Sequence, residues 1–516
     1  MAWMAMPTTV LNNHPPSLLP SSSAPLLEAL KRTGEERVAA FHFPGHGRGS
    51  SAPSSISKLL GAQPFQFDLP ELPGLDNLHS PQEAIAEAQQ MAAELFGAGY
   101  SWFLVNGSTC GIQAAVMSCC KPGDVLILPR NAHVSAFSAM VLAGAMPHYV
   151  LPCYDELWEI SHGVSAESIE LAILDLQKRK DVRIGAVLIV SPTYFGVCSP
   201  VEEIAKVCHE HGIPIIVDEA HGAHFKFHSR FPATALEQGA DVVVQSTHKV
   251  LSSLTQSGML HLARGCEIVK HERISKCLRT LQSSSPSYLL LASLDAARDQ
   301  MSCAASDDHP LFDTALELAS TARRRLKQIP QVLVLDRENV SLAAKADTIF
   351  DELRITIGLW ELGVTGTFAD DFLCDKCKVV AELPLLNSIT FAMGTGTSSS
   401  DTEKLIEGFQ ELLSSSRLTI DSYSRPGVPD CYKIGWKALV SPREAFFAET
   451  YCCKADEAVG LASAELVCPY PPGISVLFPG ELVSQEALAY LKQAHASGIT
   501  ISGASDPTLS TLHVLK

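Results

Sequence analysis

Apolar and polar positions along this chain follow two periods, and the alternation between them gives the first picture of the fold. Short unbroken apolar runs such as Val125-Leu126-Ile127-Leu128 and Ile213-Pro214-Ile215-Ile216-Val217 have the length and branching of buried strands. Between them lie longer stretches of helical periodicity. The pattern predicts helices over 83–95, 112–118, 136–143, 166–179 and 200–211. It predicts strands over 100–105, 125–128, 148–151 and 186–190, and a strand ending at Asp218. Ser80 reads as an N-cap with Pro81 at the first helical position. Strands separated by helices indicate an α/β fold with a mostly parallel, doubly wound sheet.

The alternation weakens near residue 300. A strongly basic amphipathic helix is predicted over 316–326, followed by a less regular mixture that suggests a smaller α+β domain. A Ser/Pro/Gly-rich stretch over 414–429 reads as a linker. Helix signals resume from Ser441, and Pro469-Tyr470-Pro471-Pro472-Gly473 forms a rigid run. The expected division is a leader over 1–30, a large domain over 31–305, a small domain over 306–425 and a C-terminal domain over 426–516.

The ends of the strands carry the candidate chemistry. One apolar run ends in Asp218-Glu219-Ala220-His221, and Val242-Val243-Val244-Gln245 ends in Ser246-Thr247-His248-Lys249. Ligands of open α/β sheets bind outside the carboxyl ends of the strands. A lysine that can form an imine, beside a carboxylate that can pair with a ring nitrogen, is what pyridoxal phosphate (PLP) requires. Asp218 is costly at a buried strand end unless a cation meets it, and a protonated pyridine nitrogen is such a cation. Asn106-Gly107-Ser108-Thr109-Cys110-Gly111 follows a strand and opens a helix, so Ser108 and Thr109 are phosphate contacts, although Gly-Ser-Thr is also a common N-cap. Ser246 and His248 flank Lys249 as phosphate and imine contacts. His221 approaches the hydroxyl or imine side of the ring. His133 could stack on the ring, and taken alone it reads equally as a capping histidine.

Bulk properties narrow the picture further. The chain has 516 residues, 46% apolar and 18% charged, with a net charge of -17 spread along its length. That balance argues against a nucleic-acid or anionic-membrane surface. Fifteen cysteines sit mostly in apolar runs, which suggests a reducing compartment without structural disulfides. Cys374-Asp375-Lys376-Cys377 is a lone CxxC with no second pair at ligand spacing, so no metal is expected there. Residues 1–27 lack acidic and basic side chains and are rich in Ser, Pro and Ala. They fit a plastid-type transit peptide except for the missing arginines, and fit an untargeted cytoplasmic tail as well.

These residues resemble the group III, fold-type-I ornithine/lysine/arginine decarboxylases. The resemblance runs from about Phe41 to the C-terminus. It is carried by Phe41-His42-Phe43-Pro44-Gly45-His46, Asp76-Asn77-Leu78-His79-Ser80-Pro81, Pro129-Arg130-Asn131-Ala132-His133 and Ser191-Pro192-Thr193-Tyr194-Phe195-Gly196. Val217-Asp218-Glu219-Ala220-His221-Gly222, Ser246-Thr247-His248-Lys249, Ser287-Tyr288-Leu289-Leu290, Tyr470-Pro471-Pro472-Gly473-Ile474 and Pro479-Gly480-Glu481 add to it. The length is similar to the short, Bacillus-type arginine decarboxylases, and the charge-free extension looks like a plant or algal addition. Three departures are visible. Val134 stands where the family usually has Lys, Gly47-Arg48 replaces Lys-x after Gly45-His46, and the phosphate loop reads Gly-Ser-Thr in place of Gly-Thr-Ser.

The resemblance implies PLP held by Lys249, with Asp218 on the pyridine nitrogen and His133 on the ring face. Ser108, Thr109 and Ser246 would hold the phosphate, and Lys249 or His248 would return a proton to the α-carbon. It implies a basic amino-acid substrate, arginine favoured, and a homodimer or a multiple of dimers with the site at the interface. Glu481 is the acid expected to meet the distal cation of the substrate, although it also reads as the first acid of a helix. An aminotransferase is the alternative; it would need a carboxylate-clamping arginine after residue 300. Arg337 and Arg354 are the only arginines between Arg325 and Arg417, and neither has a recognisable context. A catalytically silent homologue is the other alternative, opposed by the retention of Asp218, His221, Ser246, His248 and Lys249.

Overall fold

The computed structural model describes residues 24–305, 311–337, 339–340, 349–416, 434–470, 475–496 and 498–516. At its centre is a seven-stranded sheet. Its strands in chain order are β1 (Ala98–Leu104), β2 (Val125–Pro129), β3 (Met146–Val150), β4 (Ile184–Val190), β5 (Ile215–Asp218), β6 (Val242–Gln245) and β7 (Gly258–Ala263). In these labels the spatial order is β1-β7-β6-β5-β4-β2-β3. The pairings from β3 through β6 are parallel, while β7 runs antiparallel to both β6 and β1. The reversal of β7 and its very existence were not legible in the periodicity. The 246–257 connection holds one helical turn, Thr247–Val250, instead of a full crossover helix, so the chain returns antiparallel.

Neighbouring residues of one strand feed opposite faces, as the pleat requires. Leu126, Leu128, Leu188, Ile216 and Val244 pack under the helices Gly107–Cys119, Val134–Ala143 and His271–Leu281. Val125, Ile127, Val187, Ile189, Ile215 and Val217 pack under Ala166–Gln177 and Val201–Glu210. Both faces are therefore dry, and the strand ends are where polar side chains can emerge.

The leader was expected to reach residue 30. Instead, Pro25–Glu35 is a helix that buries Leu26, Ala29 and Leu30, and Asp295 caps its first turn by accepting the Leu26 amide at 2.9 Å. Residues 1–23 lie outside the described residues. The helix expected from Pro81 begins at Ala84. Ser80 does not cap it. The carboxylate of Asp76 accepts the amides of Gln82, Glu83, Ile85 and Ala86, which gives the Asp76-to-Pro81 motif its purpose.

Beyond residue 305 a four-stranded antiparallel sheet orders Leu333–Val334, Arg354–Gly358, Ser388–Ala392 and Leu383–Pro384 side by side. The helices Asp313–Leu326 and Ser399–Ser416 cover it, and their apolar core is continuous with that of the N-terminal helices. Ser414–Ser416, expected to open the linker, are the last turn of a helix, and 417–433 lie outside the described residues. The C-terminal part has its own core around Val476, Leu491 and Val514. Cys468–Tyr470 is a strand, whereas 471–474, the centre of the Pro-Pro-Gly run, lie outside the described residues.

Among the described residues, no helix is long and apolar enough to cross a membrane, and no group of three His, Cys, Asp or Glu could hold a metal. Cys374 and Cys377 are free thiols on one turn at Leu373–Cys377.

Candidate active site

A cavity of about 390 Å³ opens at the carboxyl ends of β4 and β5. Ser108, His133, Asp218, His221 and Lys249 all line it, together with Tyr194 from the loop after β4. Its far wall comes from the C-terminal domain, through Cys468, Tyr470, Ser475 and Phe478. A larger cavity of about 730 Å³ lies at the opposite ends of the strands around Lys121, Arg183 and Arg273. None of the expected site residues reaches it. The smaller cavity is the candidate because an amine, a carboxylate, two imidazoles and a hydroxyl converge there.

Asp218 is the last residue of β5 and only 7% exposed. Burial pushes its carboxyl pKa up, while His133 and Lys249 pull it down, and the Ala220 amide donates to Oδ1 at 3.2 Å. Lys249 sits on the turn after β6 and points along the open cavity. Burial among the surrounding walls lowers the pKa of its amine, Asp218 opposes that shift, and Arg354 adds to it. The amine lies 3.0 Å from Nε2 of His221 and 5.5 Å from the centre of the Tyr194 ring.

Burial, with Lys249 and Arg354 nearby, holds His221 well below the usual imidazole range. Its ring is therefore neutral. Nδ1 faces Nη2 of Arg354 at 3.5 Å, a long contact in which only the guanidinium can donate. That leaves Nε2 to share a hydrogen bond with the Lys249 amine. Arg354 had no recognisable context in the sequence, yet it is 3% exposed and stands beside the site. Arg337 is exposed.

His133 is the capping histidine, and it also stands at the cavity. Nδ1 accepts the Ser135 amide at 3.2 Å as the N-cap of Val134–Ala143, and the ring still lines the cavity. Burial lowers its pKa, so the face it offers is that of a neutral imidazole.

Ser246 donates from Oγ to Oγ of Ser108 at 2.7 Å, which joins the turn after β6 to the N-terminus of Gly107–Cys119. Two hydroxyls and the first free amides of that helix make an anion cradle. Gly258, missed in the sequence, keeps the cradle open: a Cβ there would meet the Gln245 carbonyl at 2.7 Å and the Ser108 amide at 3.2 Å. Thr109 does not line the cavity; it is exposed. His248 does not line the cavity either, because Nδ1 donates to the Ser257 carbonyl at 2.7 Å.

Glu481 requires a correction. It was expected to receive the distal cation of the substrate, but its carboxylate is already neutralised. Arg130, fully buried, donates to both of its oxygens at 2.5 and 2.6 Å, and the Phe478 amide adds a third bond at 2.9 Å. Arg130 also reaches the carbonyls of Ser475 and Val476 and lies against the rings of Tyr149, Trp436 and Phe478 at 4.4 to 4.7 Å. The pair fastens the C-terminal domain to the large domain, with the far wall of the cavity mounted on it.

These residues suit a flat, phosphorylated pyridine carrying an aldehyde. The cradle at Ser108 and Ser246 would take the phosphate, Asp218 would take the ring nitrogen, His133 would lie along a face and Lys249 would meet the aldehyde carbon.

Comparison with known proteins agrees. The major domain of the Orn/Lys/Arg decarboxylases matches residues 24–404, and the C-terminal domain of the same family matches 432–505. The arginine decarboxylase of Bacillus subtilis (strain 168) is 34% identical over 494 residues, which covers 95% of this chain and 98% of that protein. The arginine decarboxylase of Halalkalibacterium halodurans is 34% identical over 497 residues, 95% and 97% of the two chains. Among solved structures, the Francisella novicida lysine decarboxylase LdcF superposes with a TM-score of 0.81 at 20% identity, over 96% of this chain and 81% of that one. The chain belongs to the Orn/Lys/Arg decarboxylase family and is an amino-acid decarboxylase.

Proposed function

We propose that this chain decarboxylates L-arginine to agmatine, with PLP as cofactor, and works as a homodimer. The observation that carries the reading is the meeting of Lys249, Asp218 and the Ser108–Ser246 cradle in one cavity of about 390 Å³. Arginine is favoured over lysine and ornithine by the near-complete overlap with the Bacillus arginine decarboxylase at 34% identity.

When bound, PLP supplies a carbonyl that captures an amine and a ring that takes up the electron pair left by departing CO₂. Lys249, its amine hydrogen-bonded to Nε2 of His221 at 3.0 Å, is placed to hold the cofactor and to hand it to the substrate amine. Asp218 keeps the ring nitrogen protonated, so the ring remains an electron acceptor. His133 fixes the ring plane. Arg354 draws the substrate carboxylate towards the His221 side. Lys249, freed by the substrate, stands nearest to return a proton to the α-carbon. Arg354 occupies the kind of place an aminotransferase needs for its clamp, but family membership selects loss of CO₂ over amino transfer.

Phe41, Phe43 and Leu59 are 99%, 82% and 80% exposed on the N-terminal segment. Such a row of large apolar side chains, with Thr109 also left outside, supports burial against a second copy. The test supplies the purified protein with arginine, lysine and ornithine and identifies the amine, with sedimentation as the companion measurement. Agmatine from a dimer or a multiple of it is expected. Preference for lysine or ornithine would overturn the substrate, and an active monomer would overturn the assembly.

A further inference from the structure

The proposed reaction leaves one chemical requirement unmet. A basic amino acid brings a distal cation into the cavity, and that cation needs an acid. Asp218 serves the ring nitrogen, and Glu481 is consumed by Arg130. The remaining buried acids nearby are also engaged. Glu219 accepts Gln245 and the Ala235 amide at 2.7 Å each. Asp351 pairs with His224 at 3.2 Å, Glu159 holds Asn387, and Glu465 accepts the amides of Ser505 and His513.

Glu382 is different. It directly precedes the edge strand Leu383–Pro384 of the small domain. Leu385, three residues on, lines the cavity. Leu383 and Leu385 pack in one apolar cluster with Phe195 and Tyr470, which line the cavity from the large and C-terminal domains. Glu382 therefore stands on the segment where the three domains meet, next to residues that pack at the cavity. Its side chain is exposed, and among the described residues it makes no ion pair and no side-chain hydrogen bond; only its amide is engaged, by Thr390. Its charge is nevertheless felt inside, at Lys249, Tyr194 and Tyr470.

We propose that Glu382 is the carboxylate that receives the distal guanidinium of arginine at the cavity rim. This inference rests on the decarboxylase reading of the same site. Three charged groups act on the Lys249 amine: Asp218, Arg354 and Glu382. With Asp218 reserved for the cofactor, a cation on the His221 side and a carboxylate at the rim remain. They complement a substrate that carries its anion at the α-carbon and its extra cation at the far end. The sequence offered no signal for it, because Glu382 has neither a strand end nor a motif around it.

The test uses the holoenzyme and two ligands of equal shape, arginine and citrulline, the latter lacking the charge. Their dissociation constants are read from the change in the cofactor's visible band in the first milliseconds after rapid mixing, before turnover, for the native chain, Glu382→Gln and Glu382→Lys. The native chain is expected to favour arginine. Glu382→Gln should weaken arginine about tenfold or more while leaving citrulline unchanged, since one charge-assisted bond is lost. Glu382→Lys should weaken arginine further. Added salt should weaken arginine binding in the native chain and change it little in Glu382→Gln. An unchanged arginine-to-citrulline ratio in Glu382→Gln overturns the inference. So does an equal loss for both ligands, which would make Glu382 part of the wall only. Failure of the native chain to release CO₂ from any basic amino acid would instead strike the decarboxylase reading, and the two binding constants would still decide the role of Glu382.

Discussion

Replacing Glu481 by glutamine should loosen the C-terminal domain rather than change substrate recognition. Glu481 accepts three bonds, two from the Arg130 guanidinium at 2.5 and 2.6 Å and one from the Phe478 amide at 2.9 Å. Arg130 is fully buried between aromatic rings and, among the described residues, pairs with no other carboxylate. A glutamine keeps one oxygen and turns an NH₂ group towards groups that also donate. Removing one partner of a buried ion pair costs about 3–5 kcal/mol, because the other charge stays buried. At about 1.36 kcal/mol per decade, that is roughly a 10²- to 5 × 10³-fold increase in local opening. A chain of several domains does not melt in two states, so the reading belongs in hydrogen exchange. The amides of Val476, Gly480 and Leu482, bonded to Val467, Ser463 and Lys437, are the reporters. Replacing both partners, Arg130→Met with Glu481→Leu, should restore much of the protection. Unchanged exchange in Glu481→Gln would refute the reasoning. So would a raised KM for arginine with protection intact, which would return Glu481 to the substrate.

Two further predictions concern the cofactor. Asp218→Ala should lose turnover by orders of magnitude and retain most of its PLP, because the carboxylate acts on the ring while Lys249 and the Ser108–Ser246 cradle hold the group; near-normal turnover would remove Asp218 from the ring nitrogen. Burial lowers the pKa of the Lys249 amine below its ordinary 10.5, so the neutral, reactive form already exists at less alkaline pH. The rate at which apoenzyme takes up PLP should therefore rise with pH and level off below 10.5, and borohydride should fix the cofactor on Lys249; a plateau at or above 10.5, or label on another lysine, contradicts the geometry.

Much of the site could be read from the chain because a strand buried on both faces has only its ends free. The apolar runs before Asp218 and before Lys249 left the residues after them little choice but to emerge at one edge of the sheet. Local turns were less readable. Ser108 and Thr109 are adjacent on a helix, where successive side chains diverge by about 100°, so one enters the cavity and the other faces out. His248 and Lys249 part in the same way on a single turn, and the Ser257 carbonyl claims His248.

What the sequence by itself determined was the α/β architecture, the strand ends, and the pairing of an amine with a carboxylate. These depend on periodicity and on residues a few positions apart. Only the tertiary structure decided the rest. Arg130 and Glu481 are separated by 351 positions, and their pairing appears only when the C-terminal domain docks. Arg354 stands beside His221, 133 positions away in the chain, because the small domain docks on the segment that follows β4, and no local pattern marks a side chain whose partner arrives from another domain. A buried charge must find its opposite wherever the fold places it, and that choice is made by packing rather than by neighbourhood in the chain.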